Sequence, residues 1–175
     1  MVVFFFTIAF MFFNFTTDRL NIRPLVLSDK QMIFELLNTS SWIKFIGDRN
    51  IKSIEDSENY IKAILVNKNY HYHVIELMPE QIPIGIITFL NRNHQDFPDL
   101  GFAILPHYEG RGYTYEACKG YLDKLIKNKV SKKILGIAQS ENVKSINLLE
   151  RLGFKYDHIK LENQKQLSVY EFVIN

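Results

Sequence analysis

The sequence predicts a mixed α/β domain, a central sheet with helices on both faces. Its 175 residues are close to the length of one ordinary domain. Segments rich in β-branched and aromatic residues cluster in the middle of the chain, and a strand–helix–strand–helix order follows them. With 47% hydrophobic and 23% charged residues, the composition is that of a globular protein and excludes disorder as the dominant state.

Charge and cysteine content exclude further classes of protein. The net charge of +2, from 21 basic and 19 acidic residues, is too small to indicate nucleic-acid binding by electrostatics. Cys118 is the single cysteine, so the chain has no internal disulfide framework and no all-cysteine metal site.

The N-terminal run is unusually apolar. Seven of the 14 phenylalanines lie within the first fifteen residues, and residues 2–13 are apolar except for Thr7. A membrane-spanning helix needs about 20 such residues, and neither a basic segment nor a small-residue cleavage site is present. This run is consistent with a helix or strand packed on the domain, with a weak membrane or partner contact, or with an upstream extension. We favour an extension over residues 1–10, followed by a single domain over residues 11–175.

The sequence pattern of the first third of the chain predicts one strand and two helices. Residues 20–25 alternate between apolar and polar side chains, as in a strand. Ser28, with Gln31 three residues later, predicts a capped helix start. Ser53 starts a second helix, whose first turns hold Glu55, Asp56 and Glu58, where the helix dipole favours carboxylates.

The remainder predicts strands and two further helices. Strands are expected over residues 70–77, 82–90, 100–105, 134–138, 154–161 and 167–173. A long helix opens at Gly110 and Gly112, and a second, over residues 143–152, ends at Gly153 as a C-cap. In the long helix Ala117, Tyr121 and Leu125 recur at every fourth position and predict its buried face.

The turn that opens the long helix carries the chemistry. Glycines allow close approach of a ligand and positive φ, and the first helical amides lack intrahelical partners. Together with Arg111, these groups suit a phosphate or pyrophosphate. A tight turn that needs glycine for packing is the alternative. A Walker loop is excluded because its pattern is absent, and a dinucleotide fingerprint because Tyr115 replaces its third glycine.

Three separated motifs resemble the GNAT N-acetyltransferases. They are DLGFAILP with EGRGYTYEA at residues 99–106 and 109–117, NVKSINLLERLGF at 142–154, and the opening TDRLNIRPL at 17–25. The opening resembles the ribosomal-protein-alanine (RimJ/RimL-like) branch. The resemblance implies a mostly antiparallel mixed sheet of six to seven strands with about four helices, acetyl-CoA as cosubstrate and no metal.

The resemblance also implies roles for individual residues. Backbone groups of the strand would pair with the pantetheine amides, the loop would cradle the pyrophosphate, and two residues of the later motif would line the pantetheine arm. These positions are Phe102, Ala103 and Ile104; Glu109, Gly110, Arg111, Gly112, Tyr113 and Thr114; and Asn142 and Ser145. Backbone N–H groups of the splayed strands would polarise the thioester carbonyl.

Some positions depart from the family pattern. Glu109 replaces the usual Gln or Arg, so its carboxylate should point to solvent or to a helix partner. Leu149 stands where many members carry a tyrosine that protonates the leaving thiolate, so the general acid is unassigned. Asp99 is the candidate base, acting through water, with a surface carboxylate as the alternative. Ser140 and Tyr170 are further site candidates, for which a structural role is favoured.

Other features have simpler interpretations. His71 and His73 share a strand face, but no third metal ligand is evident. We expect Cys118 to be a small core residue and not a covalent nucleophile. A basic cluster near the end of the long helix is read as a solvated surface. Trp42, Phe45 and Ile46 would either form the wall of the acceptor pocket or pack two short helices. The cluster comprises Lys127, Lys129, Lys132 and Lys133.

We therefore expect a cytoplasmic N-acetyltransferase that moves acetyl from acetyl-CoA to a primary amine, either a protein N-terminus or a small amine. The amine would attack directly in a ternary complex. Alternatives are an enzyme restricted to small-molecule amines, a non-catalytic CoA-binding module, and a membrane-associated interaction protein suggested by the N-terminal run. Neither nucleic acid nor a membrane is an expected partner, and the protein would be a monomer or a homodimer.

Overall fold

The computed structural model describes residues 14–174. The apolar run 2–13 and the expected boundary at residue 11 lie outside the described residues, so the division into extension and domain stays a prediction. Strands β1 to β8 are Phe15–Thr16, Leu20–Pro24, Tyr70–Leu77, Ile82–Leu90, Asp99–Ile104, Lys133–Gln139, Lys155–Glu162 and Lys165–Val173. Helices α1 to α5 are Lys30–Leu37, Ser40–Phe45, Ile54–Leu65, Tyr113–Lys127 and Val143–Arg151.

The strands form one eight-stranded sheet in the order β1-β2-β3-β4-β5-β6-β8-β7. All neighbours are antiparallel except β5 and β6, which are parallel. The expected mixed, mostly antiparallel fold is confirmed. The described sheet slightly exceeds six to seven strands, because the two-residue β1 adds an edge, and α2 raises the described helices to five.

Helices cover both faces of the sheet, as expected. On one face α4 and α5 bury Ala117, Tyr121 and Leu149. On the other, α1, α2 and α3 contribute Ile33, Trp42 and Ile61 to a second apolar cluster. Between residues 14 and 174 no helix is long and apolar enough to cross a membrane.

The predicted start of the first helix at Ser28 is wrong. Residues Leu27–Asp29 form a 3-10 turn, and α1 begins at Lys30. The Asp29 carboxylate accepts hydrogen bonds from the Val26 amide at 2.9 Å and from both terminal nitrogens of Arg23 at 2.8 and 2.9 Å. These bonds fix the chain before the helix, so the start is set by a buried ion pair that the capping pattern does not reveal.

The second helix start is confirmed at Ser53. Its hydroxyl accepts from the Asp56 amide at 3.1 Å, and the Asp56 carboxylate accepts from the Ser53 amide at 2.9 Å. This reciprocal pair satisfies two amides that a helix N-terminus otherwise leaves without partners.

Candidate functional site

The β5–β6 seam opens into a gap. The two parallel strands pair only at Asp99 and Leu135, although β5 continues to Ile104 and β6 to Gln139. The Leu105 amide donates to the Ile84 carbonyl of β4 at 2.8 Å. Since backbone groups alternate along a strand, the amides of Phe102 and Ile104 face away from β4, into the gap. An extended amide-bearing ligand could therefore pair with β5 as an additional strand would.

A cleft of about 960 Å³ follows this gap. It runs from the expected CoA positions on β5, the loop before α4 and the start of α5, here called the acyl-donor end, to a region here called the acceptor end. The acceptor end comprises α2 with the turn 46–50, Tyr72, residues 90–95, Asp99 and the β7–β8 hairpin. Of the predicted site residues, the cleft is lined by Asp99, Phe102, Ala103, Ile104, Glu109, Thr114, Asn142 and Ser145. The other four, Gly110, Arg111, Gly112 and Tyr113, follow Glu109 in the loop.

The loop that opens α4 needs both glycines. Gly110 and Gly112 have φ of +74° and +80°, a left-handed conformation that side chains disfavour. At the start of α4 the Glu116 amide donates to the Gly112 carbonyl at 3.0 Å. The amides ahead of Glu116 therefore have no intrahelical acceptor, and they form a site suited to an anion.

Two residues from the chain's opening hold this loop, and the sequence reasoning assigned them no role. Arg19 donates to the Arg111 carbonyl at 3.1 Å, bonds Glu116 of α4 at 2.7 Å, and lies over the Tyr113 ring. Thr17 donates to the same carboxylate at 2.6 Å. The only signal for them was their position in the opening motif.

Glu109 turns to a helix partner, as its prediction required. Its carboxylate lies 2.7 Å from the Lys144 ammonium on α5. The hydrogen bond raises the pKa of Lys144 above its ordinary value. The lysine thus neutralises a negative charge beside the anion site and ties the loop to α5.

Asn142 caps α5 at the edge of the cleft. Its side-chain oxygen accepts from the Ser145 amide at 3.2 Å. Because this bond uses only the oxygen, the Asn142 amide nitrogen stays available as a donor to a ligand. The predicted roles of Asn142 and Ser145 remain predictions.

Leu149 faces the core. It is 2% exposed, and a Cβ at Gly136 of β6 would come within 2.5 Å of its Cδ2. The position that carries a tyrosine in many GNAT members is therefore filled by tight apolar packing between α5 and β6.

Asp99 is buried at the start of β5 and paired with Arg92. The distances are 2.6 Å from Arg92 Nε to Oδ2 and 3.4 Å from Nη2 to Oδ1. Oδ1 is thus the more weakly bonded of the two oxygens. Arg92 had no predicted role.

The remaining candidates have internal partners. Ser140 lies 2.9 Å from the Ser168 hydroxyl, and the Tyr170 hydroxyl donates to Glu150 at 3.3 Å. His73 packs against Tyr121, its Nδ1 3.2 Å from the phenol oxygen. Cys118 is fully buried, as expected, and burial raises the pKa of its thiol. Within residues 14–174 no three His, Cys, Asp or Glu side chains group as a metal site.

The α2 segment contributes both to packing and to the cleft. Trp42 is 5% exposed, joins the second apolar cluster and lines the cleft with Phe45 and Ile46. Gln139, at the end of β6, donates to the Phe45 carbonyl at 2.7 Å. Trp42 therefore fits both alternatives that the sequence left open, because it packs in an apolar cluster and also forms part of the cleft wall. A contact between this segment and the acceptor stays a prediction.

These features are those of an acyl-CoA site on an acetyltransferase fold, and comparison with known proteins agrees. The profile described as Acetyltransferase (GNAT) domain matches residues 19–155. The chain belongs to the GNAT acetyltransferase family. The predicted enzyme class, an acetyl-CoA-dependent N-acetyltransferase, is thereby confirmed.

Individual relatives are more distant. The chain is similar to an uncharacterized N-acetyltransferase, YnaD, of Bacillus subtilis (strain 168), with 26% identity over 81% of this chain and 82% of the relative. A ribosomal-protein-S5-alanine acetyltransferase from Vibrio fischeri shares 16% identity with a TM-score of 0.77, covering 93% and 97% of the two chains. Spermidine N-acetyltransferase from Vibrio cholerae, solved with CoA and spermine, shares 18% identity with a TM-score of 0.78, covering 90% and 97%.

Proposed function

We propose that this protein transfers acetyl from acetyl-CoA to a primary amine, on a protein N-terminus or a small molecule. The observation that carries the proposal is the open β5–β6 seam beside a helix N-terminus entered through two left-handed glycines. The seam offers backbone partners for the pantetheine amides, and the helix end offers amides for the pyrophosphate. The cleft of about 960 Å³ then continues to the acceptor end, where a second substrate would bind.

In the proposed reaction the free amine attacks the thioester carbonyl carbon. A C–N bond forms, the C–S bond breaks, and the electron pair leaves with the CoA sulfur, which is then protonated. Of the two backbone N–H groups that face the gap, that of Phe102, nearer to Asp99, would stabilise the negative charge that develops on the carbonyl oxygen, and that of Ile104 would pair with the pantetheine arm. Asp99 is the proposed base and would take the amine proton through a water molecule. Because Leu149 is buried and cannot donate a proton, solvent would protonate the thiolate.

The acceptor is proposed from two directions. The opening motif and the fold shared with the S5-alanine enzyme favour a protein N-terminus. The fold shared with the spermidine enzyme favours a small amine. The activity assay therefore includes both peptides and small amines.

Cofactor binding and turnover are tested separately. Acetyl-CoA at about 100 times its Kd should stabilise the fold by about 2.7 kcal/mol and raise the Tm by roughly 5 °C or more. No binding at millimolar acetyl-CoA, by calorimetry or thermal shift, would refute the CoA site.

Release of free thiol with a panel of peptides and small amines tests catalysis. We expect turnover on at least one member of the panel. The burial of Leu149 is what favours the alternative of a non-catalytic CoA-binding module, and binding without turnover on any acceptor would establish that alternative.

A further inference from the structure

The acceptor end of the cleft carries cations that no described carboxylate neutralises. Arg49 is exposed on the turn after α2 and has no ion-pair partner among the described residues. The neighbouring Asp48 accepts the Asn50 amide at 2.7 Å, which helps to shape that turn. Lys165, on the β7–β8 hairpin, lines the same end and donates to the Lys44 carbonyl at 3.3 Å.

Two of the carboxylates that line the cleft are paired with basic side chains. Asp99 is held by Arg92 at 2.6 Å, and Glu162 is held by Lys160 at 2.8 Å. Glu141, which precedes the α5 cap Asn142, also lines the cleft and has no ion-pair partner in the described part of the chain. Arg49 and Lys165 are thus cations without a carboxylate partner in the described residues, whereas Asp99 and Glu162 each have a basic partner.

One neutral donor lies in the wall of the same cleft. The Trp42 indole nitrogen is buried on the cleft wall and has no hydrogen-bond partner among residues 14–174. A buried N–H donor without a partner costs free energy, and a hydrogen bond to a ligand oxygen would recover it.

Tyr72 lies in the wall of the cleft that Arg49 and Arg92 also line. Burial raises the pKa of its hydroxyl above the ordinary value, and the charges of Arg49 and Arg92 oppose that rise. Both guanidinium groups are therefore within electrostatic range of one phenol on the cleft wall. An anionic group placed there would meet Arg49 directly, because Arg92 is already occupied by Asp99.

We propose that the amine acceptor carries an anionic group, such as a carboxylate, near its reactive nitrogen and that Arg49 selects it. This inference rests on the proposed acetyl transfer and specifies its substrate class. Arg49 would act as a specificity-determining residue at the rim of the cleft, with Lys165 adding to the positive potential. Attraction between the rim and such an acceptor would also raise the rate of encounter.

Matched acceptors test the proposal. Glutamic acid α-amide is compared with glutamine α-amide, and the peptide amide Ala-Glu-Glu with Ala-Gln-Gln, so that each pair differs only in side-chain charge. We expect kcat/KM to be about tenfold higher for each acidic member, the effect of one charge-assisted hydrogen bond. The two pairs also distinguish a small-molecule from a peptide source of the anionic group, and spermidine is included as a cationic competitor.

Variants assign the preference to Arg49. Arg49→Ala should reduce the ratio of the two kcat/KM values to near one, Arg49→Lys should restore most of it, and added salt should weaken it. Lys127→Ala removes an equally exposed cation near the end of α4 and should change nothing. The Kd for acetyl-CoA should be the same in all variants.

Each failure has its own signature. Equal rates within both pairs, faster turnover of spermidine, or a preference that survives Arg49→Ala would overturn this inference while leaving acetyl transfer intact. Acetyl-CoA binding without turnover on any amine would overturn the proposed function and this inference with it.

Discussion

Gly112 combines two demands on one backbone position. Its φ of +80° turns the chain into α4, and the nearest atom to an added Cβ would be Arg19 Nη2 at 3.5 Å. Space is therefore available for a methyl group, and the obstacle is the left-handed conformation itself. The residue is needed for the direction of the amides that follow it.

Replacing Gly112 with alanine should separate folding from binding. We expect the free energy of unfolding to fall by about 1–2 kcal/mol and the affinity for acetyl-CoA to fall at least tenfold, because relaxation of φ redirects the first helical amides. Gly153→Ala is the matched control, since Gly153 also has positive φ but lies at the end of α5. Denaturant unfolding and calorimetry measure both quantities, and unchanged affinity in Gly112→Ala would refute the pyrophosphate loop.

His73 is the residue through which acid should act on stability. It is 1% exposed, and burial, with a smaller effect of the charge on His71, lowers its pKa from 6.5 to about 4. The unfolded chain then binds the proton more tightly than the folded chain does. The contribution is fully present above pH 6.5 and is lost as the pH falls towards 4.

This shift predicts a loss of about 2 kcal/mol in the free energy of unfolding between pH 7 and pH 5 from His73 alone. His73→Asn keeps a polar group near the Tyr121 hydroxyl but cannot be protonated in this range, so its stability should depend less on pH. Urea unfolding of both proteins at the two pH values measures the difference. Parallel pH profiles would contradict the assignment.

At the scale of elements, the Glu109–Lys144 pair links the loop before α4 to α5 across the cleft. Lys144 is 87% exposed and Glu109 33%, so the pair adds little to stability. Its importance is electrostatic, because Glu109 would lie beside a bound diphosphate if it were not neutralised.

Lys144→Ala should raise the Kd for acetyl-CoA roughly fivefold, the order of a partly screened charge repulsion over several ångströms. Glu109→Gln in the same chain should restore the affinity. Lys119→Ala, which breaks another exposed pair on the outer side of α4, serves as the control. Calorimetric titration of the three variants decides the matter: a Kd unaffected by Lys144→Ala would mean that Glu109 does not face the ligand.

Elements with strong local patterns were predictable, and those created by tertiary contacts were not. Strands β3 and β4 have the predicted bounds, since each is a long run of β-branched and aromatic residues. The short α2 is not predicted from the sequence because six residues carry little periodicity. The Thr39 hydroxyl caps its N-terminus. The sequence pattern predicts the start of α1 too early, because the start depends on the ion pair between Arg23 and Asp29.

The site divides in the same way. Its loop and cap residues are readable because glycines and asparagine have local backbone roles. Arg19 and Gln139 contact partners remote in sequence, and Arg92 contacts Asp99 across the loop between β4 and β5, so no local pattern marks these contacts.

At the scale of the molecule, the sheet consists of two ladders that meet at one parallel pair. Strands β1 to β5 form the first, and β6 to β8 the second, joined at Asp99 and Leu135 with a hydrogen bond from the Leu135 amide to the Pro98 carbonyl at 2.9 Å. Bound acetyl-CoA would lie between the ladders and contact both.

Amide hydrogen exchange should report this bridging. We expect acetyl-CoA to slow exchange at Phe102 and Ile104 and to raise protection in β6 and β8, which lie beyond the seam. Protection confined to the loop before α4 would contradict insertion of the donor between the ladders. The β2–β3 pairs, remote from the seam, are the internal reference.

The hydrogen bond from Gln139 to the Phe45 carbonyl has a kinetic consequence. It connects the C-terminal end of β6 to α2, which lines the acceptor end. Acetyl-CoA bound against β6 would therefore also position α2. We therefore expect a compulsory order of addition, in which acetyl-CoA enters first and the amine second. In initial-rate measurements, a dead-end analogue of the amine would then inhibit uncompetitively against acetyl-CoA, and Gln139→Leu should make the order random.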